Sequence, residues 1–151
     1  MEIFSGGWEE MERAVACCRR CRLCEARTHT AFGEGSRSAA AMLVGEGPGR
    51  EEDAQGRPFV GPAGQLLDRM LSSIGVRRDE LYITNVVKCR PPGNRNPADD
   101  EAMACLPYLR RQFALVRPRI LVCLGAVAAR YLYDPYVRCL LYTSDAADDL
   151  T

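Results

Sequence analysis

The chain has 151 residues, of which 47% are hydrophobic and 26% are charged. These values fit one globular domain with an ordinary core and leave no room for a second full domain. Its 20 basic and 20 acidic residues give a formal net charge of zero, so any affinity for nucleic acid must come from a local patch rather than from the whole surface.

Helices and strands are predicted to alternate along the first half of the chain. Residues 8–18 have the three- and four-residue apolar spacing of a helix, and residues 39–44 form a short buried strand that ends at Gly45. Residues 62–74 predict a second helix, which begins at Pro62 and ends before Gly75. Its expected apolar face consists of Leu66, Leu67, Met70, Leu71 and Ile74.

The second half continues this alternation. Residues 81–87 and 119–124 are rich in β-branched and apolar residues and predict two further strands. Between them, Asn96 is expected to cap a helix that reaches about Ala114, and residues 126–132 predict a short final helix. Strands that alternate with helices indicate an α/β fold, with a largely parallel sheet covered on both faces.

Residues 139–151 differ from the rest, because they have no clear strand or amphipathic helix pattern. We interpret them as a non-native tail and place the domain at residues 1–138. No apolar run approaches the roughly 18 residues of a membrane span, and the first residues lack the features of a signal peptide. We therefore predict a cytoplasmic protein that does not associate with membranes.

Eight cysteines in a chain without a signal peptide favour metal ligation over a disulfide scaffold. Thiolates bind either a tetrahedral zinc ion or an iron–sulfur cluster. The spacing Cys18-x-x-Cys21-x-x-Cys24 leaves two possible close pairs, and spacing alone does not choose between zinc, a cluster and free thiols. Distant partners are available in Cys89 and Cys105, whereas Cys123 lies in an apolar strand and is interpreted as a core residue.

Residues 45–49, Gly-Glu-Gly-Pro-Gly, directly follow a predicted strand. Open α/β folds place ligands at this carboxyl edge of the sheet, and glycines allow a flat ligand to approach the backbone. The loop lacks the glycine order of a dinucleotide site and the ending of a phosphate loop. A plain solvated turn is the alternative interpretation.

Three further features flank this loop. Phe59, between glycine and proline, has a ring that either stacks on a base or packs the loop onto the core. Asn85, near the end of a strand, offers an amide that suits a pyrimidine edge or pins a turn. The basic loop at residues 88–97 either grips a DNA backbone through Lys88, Arg90 and Arg95 or is an ordinary exposed loop.

Three segments together resemble the family 4 uracil-DNA glycosylases: residues 44–49 (VGEGPG), 56–61 (GRPFVG) and 82–92 (YITNVVKCRPP). Their order and intervals agree with that family from about residue 14 to about residue 133. The resemblance implies a three-layer α/β/α fold with a mostly parallel central sheet. It also implies a structural four-iron four-sulfur (4Fe-4S) cluster on Cys21, Cys24, Cys89 and Cys105.

The resemblance further implies a monomeric DNA repair enzyme that hydrolyses the N-glycosidic bond of uracil in DNA during base excision repair. The implied uracil pocket consists of Gly45, Glu46, Gly47, Glu51, Phe59 and Asn85. Catalysis would come from preorganised donors and a positioned water. Glu46 or Glu51 would hold that water, and Asn85 would read the edge of the base.

The family carries a histidine in a His-Pro segment well after the third predicted strand, and the only histidine of this chain is His29. From the resemblance we expect the last strand and helix to be missing, and therefore weak activity and low stability. The main alternative is a non-catalytic, metal-stabilised nucleic-acid-binding module associated with a DNA polymerase. A zinc-stabilised α/β protein that acts on a free nucleotide is a third possibility.

Overall fold

The computed structural model describes residues 5–133, so the interpretation of residues 139–151 as a tail lies outside the described residues. Within these residues, five α-helices and four strands follow one another. In chain order they are α1 (Trp8–Ala16), β1 (Glu34–Gly35), β2 (Ala41–Gly45), α2 (Arg50–Gln55), α3 (Pro62–Ser73), β3 (Tyr82–Asn85), α4 (Asp99–Val116), β4 (Ile120–Cys123) and α5 (Ala126–Leu132).

The four strands form one sheet in the order β1-β3-β2-β4. Strand β2 lies parallel to both β3 and β4, and only β1 is antiparallel. The predicted, mostly parallel sheet is thus confirmed. Strand β1 was not predicted, because two residues are too few to show an alternating pattern. The register pairs Gly45 with Asn85, so β2 and β3 end side by side at the same edge.

Helices cover both faces of the sheet, which confirms the expected three-layer α/β/α arrangement. On one face, Leu43 and Ile83 pack with Leu67 and Leu71 of α3. On the other face, the apolar side chains of β2 and β3 pack with α4, through Met42, Val44, Tyr82, Leu106 and Leu109. Among residues 5–133, no helix is long and apolar enough to cross a membrane.

The predicted apolar face of α3 is only partly correct. Leu67 and Leu71 are buried against the sheet, but Leu66, Met70 and Ile74 are 51%, 58% and 71% exposed. The two buried leucines are four positions apart and form one narrow ridge on the helix. Periodicity could not separate that ridge from the flanking apolar residues, because all five lie on the same broad side of the helix.

Helix α4 begins at Asp99, later than predicted, and Asn96 is not its cap. Pro97 disfavours a helical conformation for the residue before it, so the helix starts beyond the proline. The carboxylate of Glu101 takes the capping role, since it accepts a hydrogen bond from the Ala98 N–H at 2.8 Å. Arg22 also donates to this carboxylate, at 2.8 Å.

Because Arg95, Arg22 and the Ala98 N–H all favour the charged form, the pKa of Glu101 falls to about 2. The unfolded chain therefore takes up a proton before the folded chain does. This contribution to stability is present above about pH 4.5 and is lost as the pH falls towards 2. Both arginines are at least 40% exposed, so solvent screening limits the contribution of the Glu101 carboxylate to stability to about 1–2 kcal/mol.

We predict that Glu101→Gln lowers the free energy of unfolding by about 1–2 kcal/mol at pH 5.5. The variant should also lose less stability than the unaltered chain between pH 5.5 and pH 3. Urea unfolding followed by circular dichroism at several pH values measures both effects. Glu9→Gln, on an exposed residue of α1, serves as the control. Equal pH slopes for Glu101→Gln and the unaltered chain would contradict the assignment.

Candidate functional site

A cavity of about 520 Å³ opens at the carboxyl edge of the sheet. Strands β2 and β3 both end there, which is where parallel sheets commonly bind ligands. The walls come from the loop after β2, the start of α2, the loop before α3 and the end of β3. The lining includes Gly47, Glu51, Glu52, Phe59 and Asn85.

Gly45 lies where the Phe59 ring and the Asn85 amide meet. A β-carbon on Gly45 would lie 2.4 Å from Cζ of Phe59 and 2.6 Å from Oδ1 of Asn85. Such distances are far inside van der Waals contact, so only glycine allows this close approach. The structure thus brings together three of the residues that the sequence singled out, although they are up to 40 positions apart.

Asn85 is 2% exposed, and its Oδ1 has no hydrogen-bond partner among the described residues. A buried acceptor without a donor costs about 1–3 kcal/mol. Native proteins satisfy nearly all such atoms, so an acceptor held unpaired beside an open cavity points to a donor on a bound ligand.

The structure separates the two carboxylates that the sequence left as alternatives. Glu51 is exposed in the first turn of α2 and lines the cavity. Glu46 is partly buried just after β2, where its main-chain oxygen accepts the Val87 N–H at 3.1 Å. Burial raises the pKa of the Glu46 carboxyl. Glu51 therefore faces the same space as Asn85, whereas Glu46 belongs to the loop that supports the wall.

A third carboxylate, Glu52, was missed by the sequence analysis. It is buried, and its Oε1 accepts the N–H groups of Val60 at 3.0 Å and Gly61 at 2.8 Å. Its Oε2 accepts the Gly49 N–H at 3.1 Å. Glu52 thereby ties the glycine loop to the loop that carries Phe59. The available signal was a glutamate three residues after Gly49, the spacing of a capping box.

The prediction that Lys88 contacts DNA is wrong. Lys88 is 1% exposed, so it cannot reach a phosphate. Its ammonium donates to Thr84 Oγ1 at 2.6 Å, to the Asn85 main-chain oxygen at 2.7 Å and to Gln112 Oε1 at 2.7 Å. Burial lowers the pKa of Lys88 to about 8. The side chain of Lys88 instead holds the end of β3.

The two arginines of the basic loop lie at the surface. Arg90 donates to Asn94 Oδ1 at 2.7 Å. Arg95 is 40% exposed, and both of its terminal nitrogens donate to Glu101, at 2.7 and 2.8 Å. Their orientation is therefore fixed by neighbours within the loop and the start of α4.

We predict that Lys88→Met destabilises the protein by about 2 kcal/mol, because it leaves buried acceptors without a donor. Arg90→Met, which removes a neighbouring basic side chain at the surface, should cost less than about 0.5 kcal/mol. Chemical denaturation of both variants provides the comparison. Equal stability of the two variants would show that the three short contacts of Lys88 contribute nothing.

A second cavity lies on the other side of Lys88 and is lined by thiols. Cys18, Cys21, Cys24, Cys89 and Cys105 all line it. Cys18 thus accompanies the four cysteines that the resemblance selected, which leaves five thiols for four positions. Among residues 5–133, no group of three His, Cys, Asp or Glu side chains is arranged to hold a metal ion.

Positive charge surrounds these buried thiols. Arg27 Nη1 donates to Cys89 Sγ at 3.2 Å, and the main-chain N–H of Lys88 donates to the Cys105 thiol. Burial raises the pKa of Cys89 and raises that of Cys105 to about 12. Because burial disfavours the thiolate form of Cys89 and Cys105, metal binding to these two residues must release their protons.

Comparison with known proteins decides the family. The sequence model of the uracil DNA glycosylase superfamily matches residues 32–147. The chain belongs to this superfamily. Five curated relatives named type-4 uracil-DNA glycosylase are 46–49% identical to it, which confirms the resemblance inferred from the three segments.

Two of these superfamily members show how much is shared. The protein from Archaeoglobus fulgidus is 48% identical over 126 residues, which cover 83% of this chain and 63% of the relative. The protein from Sulfurisphaera tokodaii is 49% identical over 127 residues, which cover 83% and 58%. The chain therefore spans about three fifths of the length of these relatives. A protein named DNA polymerase from Bacillus phage SP01 is 32% identical over 101 residues, 11% of its own length.

Proposed function

We propose that this protein is a DNA repair glycosylase that hydrolyses the N-glycosidic bond of uracil in DNA, acting as a monomer in the cytoplasm. The observation that carries the proposal is the unpaired Asn85 Oδ1, buried against Gly45 and the Phe59 ring. A flat base with a ring N–H would supply the missing donor. The type-4 relatives support the same substrate through their names.

Uracil matches this pocket in shape and in hydrogen bonding. Its ring stacks on Phe59, its N3–H donates to Asn85 Oδ1, and the Asn85 side-chain N–H donates to uracil O4. The backbone of Gly45 and Gly47 borders the ring. Cytosine carries an acceptor at N3 and a donor at position 4. Its N3 would face the Asn85 oxygen, acceptor to acceptor, and its amino group would face the Asn85 side-chain N–H, donor to donor. A site built for one edge rejects the other strongly, because its buried polar groups are then left unpaired.

The proposed reaction is hydrolysis. The oxygen of water bonds to C1′ of the deoxyribose while the C1′–N1 bond breaks, and uracil leaves with the electron pair. Preorganised donors at the uracil oxygens stabilise the charge that develops on the leaving base. Glu51 is proposed to hold the water and accept its proton, a role supported by its position in the lining of the same cavity as Asn85. Glu46 is the alternative.

Lys88 argues against a covalent route through a lysine. An amine that attacks the sugar must reach the cavity with a free electron pair. The Lys88 ammonium is instead buried among Thr84, Asn85 and Gln112. Water is therefore the proposed nucleophile, and the enzyme should leave an intact abasic strand.

Uracil-containing DNA is the proposed partner. The target nucleotide must leave the stack to reach Asn85, at a cost of a few kcal/mol that is lowest in single strands. Arg90 and Arg95 are proposed to contact the phosphate backbone, because they belong to the loop that lines the cavity through Asn94. Arginine suits this contact because its planar fork matches phosphate oxygens.

We further propose that the thiol cavity holds a 4Fe-4S cluster through Cys21, Cys24, Cys89 and Cys105. The chemistry of the donors supports this proposal, because thiols line the cavity and Arg27 supplies a compensating charge. When bound, the cluster supplies a structural cross-link between segments that are distant in sequence. Arg27 and Lys88 would favour the thiolate form of these ligands.

Uracil release from a single-stranded oligonucleotide that contains one deoxyuridine tests the proposed function. Matched oligonucleotides with deoxycytidine or thymidine at that position are the controls. We expect release of uracil alone, followed by strand cleavage only after alkali. DNA binding without base release would instead favour the non-catalytic binding module, the interpretation to which the phage polymerase relative corresponds.

A further inference from the structure

Phe59 has an unusual backbone conformation. Its φ is +51°, in the left-handed region that residues with a side chain rarely adopt. The loop is also pressed onto α3, because a β-carbon on Gly64 would lie 1.9 Å from the Phe59 main-chain oxygen. A left-handed non-glycine residue costs about 1–2 kcal/mol and persists only where its surroundings enforce it. Some neighbouring group must therefore hold this turn.

Arg78 is that group. Its Nη1 donates to the Phe59 main-chain oxygen at 2.7 Å, and its Nη2 donates to the Pro58 main-chain oxygen. One planar guanidinium thus holds two consecutive carbonyls. Glu52 holds the next N–H groups of the same loop, at Val60 and Gly61. The turn at Phe59 is fixed from both sides by charged side chains, the partly buried Arg78 and the buried Glu52.

Arg78 is itself held in place. Its side chain is 20% exposed, and it contacts Glu34 at 2.7 Å and Asp68 at 3.1 Å. Glu34 is shared with Arg57, which approaches it at 2.9 Å and is 56% exposed. Within residues 5–133, Arg57 donates hydrogen bonds to Glu34 but not to the loop carbonyls. Each terminal nitrogen of the Arg78 guanidinium therefore binds one loop carbonyl and one carboxylate: Nη1 contacts Phe59 and Asp68, and Nη2 contacts Pro58 and Glu34.

We propose that Arg78 is a positioning residue that sets the Phe59 ring against Gly45 and Asn85. The direction of an aromatic side chain follows the φ of its own residue. If the two carbonyls are released, Phe59 relaxes to a negative φ and its ring turns away from the cavity. The consequence for base binding rests on the proposed function, whereas the position of the ring does not.

The ring position can be read directly by nuclear magnetic resonance. The Gly45 α-protons lie against the Phe59 ring, so its ring current should displace their chemical shifts from the values in a variant without the ring. We expect Arg78→Gln to abolish this shift, and Phe59→Ala to abolish it as the reference. Arg57→Gln, which also removes a partner of Glu34, should preserve it. An unchanged shift in Arg78→Gln overturns the proposal, whatever the activity of the protein.

Folding is checked in the same spectra. If Arg78→Gln does not fold, the Gly45 α-proton shift is measured in Arg78→Lys instead. Lysine keeps the charge towards Glu34 and Asp68 but cannot bind both carbonyls as a planar fork. We expect a reduced Gly45 shift in this variant. A full shift in Arg78→Lys would overturn the proposal.

Titration with the free base uracil then links the ring to binding. Phe59→Ala should weaken affinity about 5- to 100-fold, the usual cost of a lost base–aromatic stack. Arg78→Gln should weaken it about 5-fold or more alone, but by less than about 2-fold in the Phe59→Ala background, because the two residues act through one contact. If Arg78→Gln weakens uracil binding by the same factor in the unaltered chain and in the Phe59→Ala variant, the proposal is overturned. If uracil does not bind the unaltered chain, the proposed function fails while the ring-shift test still decides the role of Arg78.

Discussion

Asn85→Ala should lower kcat/KM for uracil release by about 10²- to 10³-fold, the usual loss when one preorganised hydrogen-bonding group is removed from an active site. In the proposed complex the amide accepts from N3–H and donates to O4 of the same base, so alanine would remove both contacts together. Phe59 and Gly45 pack around this amide, so alanine also leaves a gap beside the ring. Single-turnover rates on the deoxyuridine oligonucleotide measure the loss.

Asn85→Asp changes the hydrogen bonds offered to the base while it keeps the shape of the side chain. The carboxylate has nearly the same volume and still accepts from N3–H, but it cannot donate to O4. We expect weaker rejection of cytosine together with a lower rate on uracil. Asn96→Ala, on an exposed asparagine outside the cavity, should stay within about 3-fold of the unaltered chain, as surface substitutions usually do. Unchanged rates in Asn85→Ala would refute the proposed recognition of uracil.

Cys89→Ser is expected to remove the metal centre. The unaltered chain, purified without oxygen, should be brown, with iron, sulfide and absorbance near about 400 nm, as iron–sulfur proteins are. The variant should lose this absorbance and at least about 3 kcal/mol of stability, because metal binding to such sites contributes directly to folding. Cys17→Ser is the matched control, since Cys17 is exposed and does not line the cavity.

The same measurement identifies the ligands. We expect Cys21→Ser to behave like Cys89→Ser, and Cys18→Ser to retain its iron. Loss of iron in Cys18→Ser but not in Cys21→Ser would show that the other close pair is used. A colourless protein that contains zinc would remove the cluster from the proposal and leave a tetrahedral thiolate site in its place.

Local patterns predicted the layers of this fold. The strands around Leu43, Ile83 and Val122 are short apolar runs bounded by glycine, asparagine or proline, which is the signature of buried parallel strands. The helix after Pro62 was found from its start and stop signals. The edge strand β1 carries no such pattern, and the division of α3 into buried Leu67 and exposed Met70 depends on the sheet beneath it.

The candidate site was predicted as a set of residues but not as an arrangement. Asn85 and Phe59 could be named from their flanking motifs. The capping-box spacing marks Glu52 as a local helix cap, but no pattern indicates that it also binds a second loop or that Arg78 binds the carbonyls before Val60. These contacts link residues up to 20 positions apart through side chains of common types. The contact of Lys88 with DNA was predicted wrongly for a related reason. A lysine in a basic loop is normally exposed, and only the tertiary structure provides its three buried acceptors.

Lys88 contacts both the residue proposed to recognise the base and one of the proposed cluster ligands. Its ammonium holds the main-chain oxygen of Asn85, while its own main-chain N–H contacts the Cys105 thiol. A mutant selected only for loss of repair at this codon would look like an active-site lesion, and one selected for loss of iron would look like a cofactor-loading defect. Survival data at this position therefore require both iron content and base affinity before a cause is assigned.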